Sequence, residues 1–314
     1  MHSSIKHLFS CFYGLIVLRR NFMNRFFLLP IILTSMISIS AAKIKPVKVF
    51  ILAGQSNMEG KGKIDPLLNH QIKDKETKDF FAHFHKNGEY IMRDDVWINY
   101  LDRHGELTVG YGSPGCIGLE LQFGHIMGDY YDEQVLLIKT AWGGKSIGRD
   151  FRPPSSRAPS NKVLDQLVVK MIERDYYNII RKEWNKLKHH NPKITRKEVE
   201  TESSALFDEI RKVKKAEYHK QVVNSFGHFY RLMMNEIKTT LSELKTRFPK
   251  YDGQGYEIAG FIWFQGWNDM YGDFPNEYAY NLENFIRDVR KELEVPNLPV
   301  AIGVMGQNGF KPAK

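Results

Sequence analysis

A serine follows closely on the end of an apolar run in the first quarter of the chain. The segment 49-VFILAGQSNMEGKG-62 is apolar up to Gly54, and Ser56 comes two residues later. A serine where a buried strand ends and a helix begins can act as a nucleophile, because the unpaired N–H groups of a helix start stabilise a developing oxyanion. The same position also suits an ordinary turn or helix-capping serine. Catalysis by Ser56 therefore requires a base, an orienting acid and oxyanion donors from elsewhere in the chain.

Four short, apolar and β-branched runs predict the strands of a parallel sheet, and apolar residues at helical spacing lie between them. The runs are 47-VKVFILA-53, 135-VLLIKTA-141, 257-EIAGFIWF-264 and 299-PVAIGVM-305. This alternation predicts an α/β domain with a parallel sheet that helices cover on both faces. Ligands bind such sheets at the carboxyl ends of the strands. Ser56 and the turns 142-WGGKS-146 and 265-QGWND-269 all fall at this edge.

Residues 161–223 differ from this pattern and predict an inserted helical hairpin. Leu164, Val168 and Ile180 belong to a helical stripe, a polar stretch covers 189–204, and a second charged helix follows. Residues 170–220 contain 14 Lys and Arg against 9 Asp and Glu, a mixture that indicates a solvated helix face more than a binding stripe. The sequence leaves open whether the hairpin is a lid, a packing element or a solvated projection.

Length and composition favour one globular domain over residues 43–314. The chain has 314 residues, of which 42% are hydrophobic, and its 26% of charged residues excludes a multispanning membrane protein. The formal net charge is +9, but the basic residues are interleaved with acidic ones, so we do not expect a nucleic-acid partner.

The N-terminal segment predicts export. The stretch 24-NRFFLLPIILTSMISISAA-42 has a basic residue, an apolar core and a small-residue end, which together indicate a signal peptide cleaved after Ala42. Met23 is then the expected start, with residues 1–22 as upstream sequence. The alternative is an uncleaved membrane anchor. After cleavage we expect a secreted or periplasmic protein that is not held in a membrane, with Cys116 as its single cysteine and thus no internal disulfide.

A nucleotide site is not expected, although 143-GGKS-146 matches the end of a phosphate-binding loop. That loop needs a glycine at the position of Lys139, and Trp142 stands in place of the glycine-rich run. Neither a cofactor nor a metal is expected either, because no Cys and His residues show the spacing of metal ligands.

Four ordered blocks carry a resemblance to a known family. The blocks 51-ILAGQSNMEG-60, 115-GCIGLELQFGHIM-127, 136-LLIKTAWGGKS-146 and 259-AGFIWFQGWND-269 resemble those of the sialate O-acetylesterase and acetylxylan esterase branch of the SGNH (GDSL-like) hydrolases. The resemblance runs from Val47 to the end, apart from the hairpin. It implies a three-layer α/β/α sandwich with a mostly parallel sheet, and a serine esterase that removes acetyl groups from carbohydrate hydroxyls.

The resemblance also assigns roles. Ser56 matches the nucleophile, Gly118 matches a glycine whose N–H serves the oxyanion hole, and Gln265 matches a side-chain oxyanion donor. The block 259-AGFIWFQGWND-269, which contains Gln265, departs from the family pattern, because Trp267 stands where many relatives have glutamate. Asn268 is therefore an alternative donor.

The remaining expected site residues lie on the same loops. Gln55, Trp142 and Trp267 are expected to contact the substrate, the two tryptophans by stacking on a sugar ring or by packing in the core. Asp269 is expected to brace its loop, and turn chemistry is the competing explanation.

The sequence does not contain the acid and base residues that the resemblance implies. In the family they come from an Asp-x-x-His block after the last strand, whereas this chain ends at 303-GVMGQNGFKPAK-314 without one. We therefore expect them beyond residue 314, with the present sequence a fragment. His104, His125 and His228 are weaker candidates and are better explained as structural histidines. The alternative function is a secreted, non-catalytic carbohydrate-binding protein, and the sequence determines neither the acetylated sugar nor the oligomeric state.

Overall fold

The computed structural model describes residues 45–305. The predicted signal peptide lies outside this part of the chain. No helix within residues 45–305 combines the length and the apolar composition needed to cross a membrane.

The elements of the described chain are numbered separately as strands and helices. The strands are β1 Val47–Gly54, β2 Gly62–Lys63, β3 His85–Lys86, β4 Glu89–Tyr90, β5 Arg93–Tyr100, β6 Arg103–Leu107, β7 Cys116–Ile117, β8 Val135–Ala141, β9 Tyr256–Phe264 and β10 Val300–Ile302. The helices are α1 Ser56–Glu59, α2 Ile64–Pro66, α3 Lys78–Phe81, α4 Leu119–Tyr130, α5 Asn161–His190, α6 Arg196–Glu202, α7 Ser204–Ser225, α8 His228–Ser242, α9 Leu244–Arg247 and α10 Phe274–Glu292. Leu67–Gln71 forms a π-turn, and Ala82–Phe84 and Trp267–Asp269 form 3₁₀ turns.

Six strands form the central sheet in the order β10-β9-β1-β8-β5-β6. The first five of these run parallel, and β6 is antiparallel to β5 at the edge. The predicted α/β fold with a mostly parallel sheet is confirmed. Strand β5 was not expected, because its sequence RDDVWINY opens with three charged residues, although its last five residues are all buried.

Alternate side chains of β1 enter two separate cores. Val49 and Ile51 belong to one core, which helices α8 and α10 complete with residues such as Met233. Phe50 and Leu52 belong to the other core, which includes α4. Since successive strand residues point to opposite faces, the two cores lie on opposite sides of the sheet. The domain is thus a three-layer α/β/α sandwich.

Helices α5, α6 and α7 fill the region where the sequence predicts an inserted hairpin. The two long helices pack on each other through a small core that includes Ile172 and Val222. A second core, around Tyr176 and Val199, joins the short α6 to α5. Helix α6 begins with a capping box, in which Thr195 and Glu198 bond each other's backbone N–H.

The strand register brings three loops to one edge of the sheet. Gly54 at the end of β1 pairs with Ala141 of β8 on one side and with Phe264 of β9 on the other. The segments after these three residues therefore emerge side by side at the carboxyl edge. Gly54 has to lack a side chain, because a Cβ there would lie 2.2 Å from the carbonyl oxygen of Phe264.

One histidine of helix α4, His125, is buried. His125 is only 3% exposed and packs with its ring centroid 5.0 Å from that of Phe84. Its Nδ1 lies 3.4 Å from Nη1 of Arg93, and its Nε2 has no hydrogen-bond partner among residues 45–305. Burial, together with the charges of Arg93 and His83, lowers the pKa of His125 to about 4.

This histidine predicts a loss of stability in mild acid. An unfolded chain takes up a proton on His125 near pH 6.5, whereas the folded chain does so only near pH 4. Stability is therefore lost as the pH falls between these values. We expect His125→Leu to reduce the slope of unfolding free energy against pH in this range by up to about 1.4 kcal/mol per pH unit.

The measurement is urea denaturation at several pH values from 4 to 7. The matched control is His219→Leu, at an exposed position on α7, which should keep the wild-type slope. Equal slopes for His125→Leu and the control would contradict the prediction.

Candidate active site

Ser56 lies at the carboxyl edge as the first residue of α1. It is partly exposed, directly after the buried Gln55. As the first residue of a helix, its N–H has no acceptor within the helix. The loop after β8 passes beside it with no side chain, since a Cβ added at Gly143 would lie only 4.0 Å from Cβ of Ser56. No side chain at position 143 therefore covers Ser56.

Glu59, at the end of α1, is a neighbour of the site that sequence reasoning missed. Its Oε1 accepts hydrogen bonds from Lys61 Nζ at 2.8 Å and from Ser113 Oγ at 2.5 Å. Burial alone would raise the pKa of Glu59, but these two bonds and the Gly143 N–H outweigh it and lower the pKa. Glu59 is thus an ionised anchor for α1 and a weak general base.

Gly118 is brought against α1 by a contact between two glycines. A Cβ at Gly60 would lie 2.5 Å from Cα of Gly118, so neither position tolerates a side chain. The N–H of Gly118, however, donates to Oε1 of Glu120 at 2.8 Å. The predicted oxyanion donor is therefore near the site but already engaged, and its catalytic role stays a prediction.

Glu120 forms a buried ion pair that the sequence reasoning also missed. Its Oε2 lies 2.6 Å from Nζ of Lys139, and the side chains are 1% and 0% exposed, respectively. Burial lowers the pKa of Lys139, against the opposing effect of Glu120. The sequence signal was a lysine inside the apolar run of β8, where an unpaired charge would be costly.

Gln265 is also near Ser56 but has no free donor. Its Nε2 lies 3.2 Å from Gln55 Oε1, 2.9 Å from the carbonyl oxygen of Lys145 and 2.5 Å from Asp269 Oδ2. An amide nitrogen has two N–H groups, and these three acceptors use both of them. Gln265 therefore links the loops after β1, β8 and β9, and the structure leaves no Nε2 hydrogen for an oxyanion.

Asn268 differs from Gln265 in this respect. Its Nδ2 donates to the carbonyl oxygen of Gly144 at 2.5 Å, and no acceptor in residues 45–305 takes the second hydrogen. Its backbone N–H lies 3.4 Å from Gln55 Oε1. Gly144 follows Gly143, which lies beside Ser56. Asn268 thus presents a spare donor at the edge where Ser56 lies, while Gln55 is buried and belongs to the supporting network.

Asp269 holds the loop after β8. It accepts hydrogen bonds from the N–H groups of Ile147 at 2.9 Å and Gly148 at 2.7 Å, in addition to that from Gln265. Burial raises the pKa of Asp269, and the hydrogen bonds oppose this shift. The carboxylate satisfies two buried backbone donors that would otherwise have no partner.

The two tryptophans of the site have different environments. The Trp142 ring packs against the rings of Phe151 and Phe229 in the core. Trp267 is 45% exposed and is followed by the exposed Met270 and Tyr271. Trp267 is therefore the more accessible of the two to a ligand.

The three candidate histidines do not meet Ser56. His104 pairs with Asn99 at the level of Ile51, and three strand spacings of about 4.8 Å separate β6 from β1. His125 packs beside Phe84, with its Nδ1 near Nη1 of Arg93. His228 is exposed at the start of α8, with its ring against Phe229.

Two comparisons with known proteins find a match. A family model described as "carbohydrate esterase, sialic acid-specific acetylesterase" matches residues 46–188 and 212–313. Among solved structures, the X-ray structure of a protein from Arabidopsis thaliana is similar, with 16% identity, a TM-score of 0.43, and coverage of 82% of this chain and 73% of the plant chain. A search of curated proteins finds no match.

The hydrogen bonds that Asp269 accepts predict a loss of stability even for a substitution that keeps the size of the side chain. In Asp269→Asn one acceptor oxygen becomes an NH2 group, which only donates, so the single remaining oxygen cannot accept from all three donors. The hydrogen bonds that remain also lose the negative charge of the carboxylate. We expect the unfolding free energy to fall by about 1.5 to 3 kcal/mol. Chemical denaturation at pH 7 measures it. Asp273→Asn, at an exposed position, is the control, and an equally small effect at both positions would refute the role.

Proposed function

Because the chain belongs to the carbohydrate esterase family of sialic acid-specific acetylesterases, we propose that Ser56 is the nucleophile with which it removes acetyl groups. Members of this family are carboxylic ester hydrolases of acetylated carbohydrates, and such a carbohydrate is the substrate class of this chain. The observation that carries the residue assignment is the position of Ser56. It is partly exposed at the carboxyl edge, at a helix start, between the loops after β8 and β9.

The proposed reaction proceeds in two steps. Ser56 Oγ attacks the acetyl carbonyl carbon while a base takes its proton, and collapse of the tetrahedral intermediate releases the sugar hydroxyl, which receives that proton. The acetyl group is then bound to Ser56. Water, activated by the same base, attacks this second ester and releases acetate and free serine.

The oxyanion requires donors directed at the edge beside Ser56. We assign the backbone N–H of Ser56 and the unused Nδ2 hydrogen of Asn268 to this role. Gly118 is the weaker candidate, because its N–H donates to a carboxylate. Gln265 supports the site through its three acceptors instead of donating to the oxyanion.

The proposed base is a histidine oriented by an aspartate, both outside residues 45–305. This assignment is supported by the positions of His104, His125 and His228, each of which contacts a different part of the fold. The low pKa of Glu59 also makes it unsuited to take the serine proton.

The exposed Trp267 is the proposed platform for the sugar. Its accessible face, next to the exposed Met270 and Tyr271, suits stacking on the apolar face of a pyranose ring. Export through the signal peptide of residues 23–42 completes the proposal, since it would bring the enzyme to extracellular or periplasmic glycans.

Replacing the nucleophile tests the proposal directly. We expect Ser56→Ala to lower the rate of acetate release from an acetylated sugar by about 10⁶-fold in the natural full-length protein, because no other group can form the acetyl intermediate. Acetate is measured by an enzyme-coupled assay, and thermal unfolding confirms that the variant is folded. Ser242→Ala, at an exposed position on α8, is the control.

Wild-type acetate release by Ser56→Ala would show that another group is the nucleophile. If the wild-type protein released no acetate and yet bound the sugar, the alternative of a non-catalytic carbohydrate-binding protein would replace the esterase.

A second prediction separates the two amide side chains. We expect Asn268→Ala to lower kcat by about 10²- to 10³-fold at an unchanged melting temperature, because it removes a hydrogen-bond donor that stabilises the oxyanion of the transition state. Gln265→Ala should instead lower the melting temperature, because it leaves Gln55 and Asp269 with lost partners. The reverse pattern, with kcat lost only in a stable Gln265→Ala, would return the donor role to Gln265.

A further inference from the structure

Lys139 is the one charged residue within β8, and its side chain is fully buried. Its ammonium group has three donors, and each finds an oxygen. Nζ lies 2.6 Å from Glu120 Oε2, 2.8 Å from the carbonyl oxygen of Glu59 and 2.8 Å from the carbonyl oxygen of Tyr111. The ammonium also lies 4.6 Å from the ring centroid of Tyr100. Each of the three N–H groups of this ammonium therefore has its own acceptor.

The three acceptors belong to segments that border the nucleophile. Glu59 is the last residue of α1, the helix that Ser56 begins, and its carbonyl has no acceptor role within so short a helix. Glu120 lies in the first turn of α4 and holds the N–H of Gly118 through its other oxygen. The ion pair thus joins β8, α1, the loop at Tyr111 and the segment at Gly118.

We propose that Lys139 and Glu120 are positioning residues for the esterase site, an inference that rests on the proposed function of Ser56. They hold α1 and the Gly118 segment at a fixed separation, and thereby fix the N–H of Ser56 relative to the donors around it. Neither side chain touches the substrate.

Stability alone does not explain such a pair. Well-packed apolar residues of similar volume usually stabilise an interior as well as a buried ion pair does, or better. What an apolar pair cannot do is bond two carbonyl oxygens and one N–H from three separate segments. Displacements of about 1 Å at a catalytic group cost on the order of 10²-fold in rate, so such bonds matter for turnover.

The test is the double variant Glu120→Gln/Lys139→Met in the natural full-length protein. It removes both charges together, and therefore avoids leaving one buried charge without a partner. With 4-nitrophenyl acetate as the probe, we expect kcat to fall by about 10- to 100-fold, with KM within about twofold of wild type. Amides of residues 56–60 and 111–120 should exchange faster with deuterium, while those of residues 47–53 keep their protection.

The same sheet contains a second, more exposed ion pair that serves as a control. Lys48 and Glu257 form an ion pair of the same length, 2.6 Å, between β1 and β9, near the amino ends of these strands and thus away from Ser56. The variant Glu257→Gln/Lys48→Met should keep the wild-type kcat and the wild-type exchange of residues 56–60.

Three outcomes decide the inference. A folded Glu120→Gln/Lys139→Met protein with wild-type kcat and exchange would overturn it. If that variant does not fold, wild-type exchange decides, because the Gly118 amide must then exchange as slowly as the amides of β8, and fast exchange would overturn the inference. If the wild-type protein released no acetate, the proposed function would fail, and the exchange data would still show whether the pair holds the two segments.

Discussion

The buried charge of Lys139 is the constraint on which this end of the domain depends. An ammonium group inside a core is tolerated only when an anion and further acceptors surround it. Removing one member of a buried ion pair leaves the other charge unpaired and lowers the unfolding free energy by about 3 to 5 kcal/mol. The acceptors that satisfy Lys139 are Glu120 and two backbone carbonyls from separate segments. The chain therefore cannot fold around β8 without also bringing α1 and the start of α4 together.

A second network has the same effect on the other side of Ser56. Asp269 binds the backbone of the loop after β8, and Gln265 joins this carboxylate to Gln55. Between them the two networks fix all three segments that leave the carboxyl edge at β1, β8 and β9. Oxyanion stabilisation depends on donors that are already in place before the reaction, and in the proposed mechanism these polar bonds hold the donors in place.

The family match divides the chain into a shared frame and an addition. The matched residues, 46–188 and 212–313, include the whole sheet and both networks. The unmatched residues between these two ranges, 189–211, contain the end of α5, all of α6 and the start of α7. Val199 of α6 packs with Tyr176 and Ile180 of α5, which lie in the matched part. The proposed nucleophile and both networks lie in the matched residues, and the tip of the hairpin lies outside them.

The sequence by itself determined the fold class, and it placed the proposed nucleophile, Ser56, directly after the first strand. The apolar runs of β1, β8 and β9, and the glycine that ends β1, are local signals, since strand burial and sharp turns depend on nearby residues. Strand β5 was not predicted from the sequence, because its first three residues are charged. Its last five residues are buried only through contacts with neighbouring elements. Tertiary structure alone decided which polar groups are free. The amide of Gln265 and the N–H of Gly118 are sound donors by residue type, but Asp269 and Glu120 occupy them. The residue type determines whether a group can donate a hydrogen bond. Its acceptor often comes from a distant part of the chain, so only the folded structure determines which acceptor it binds.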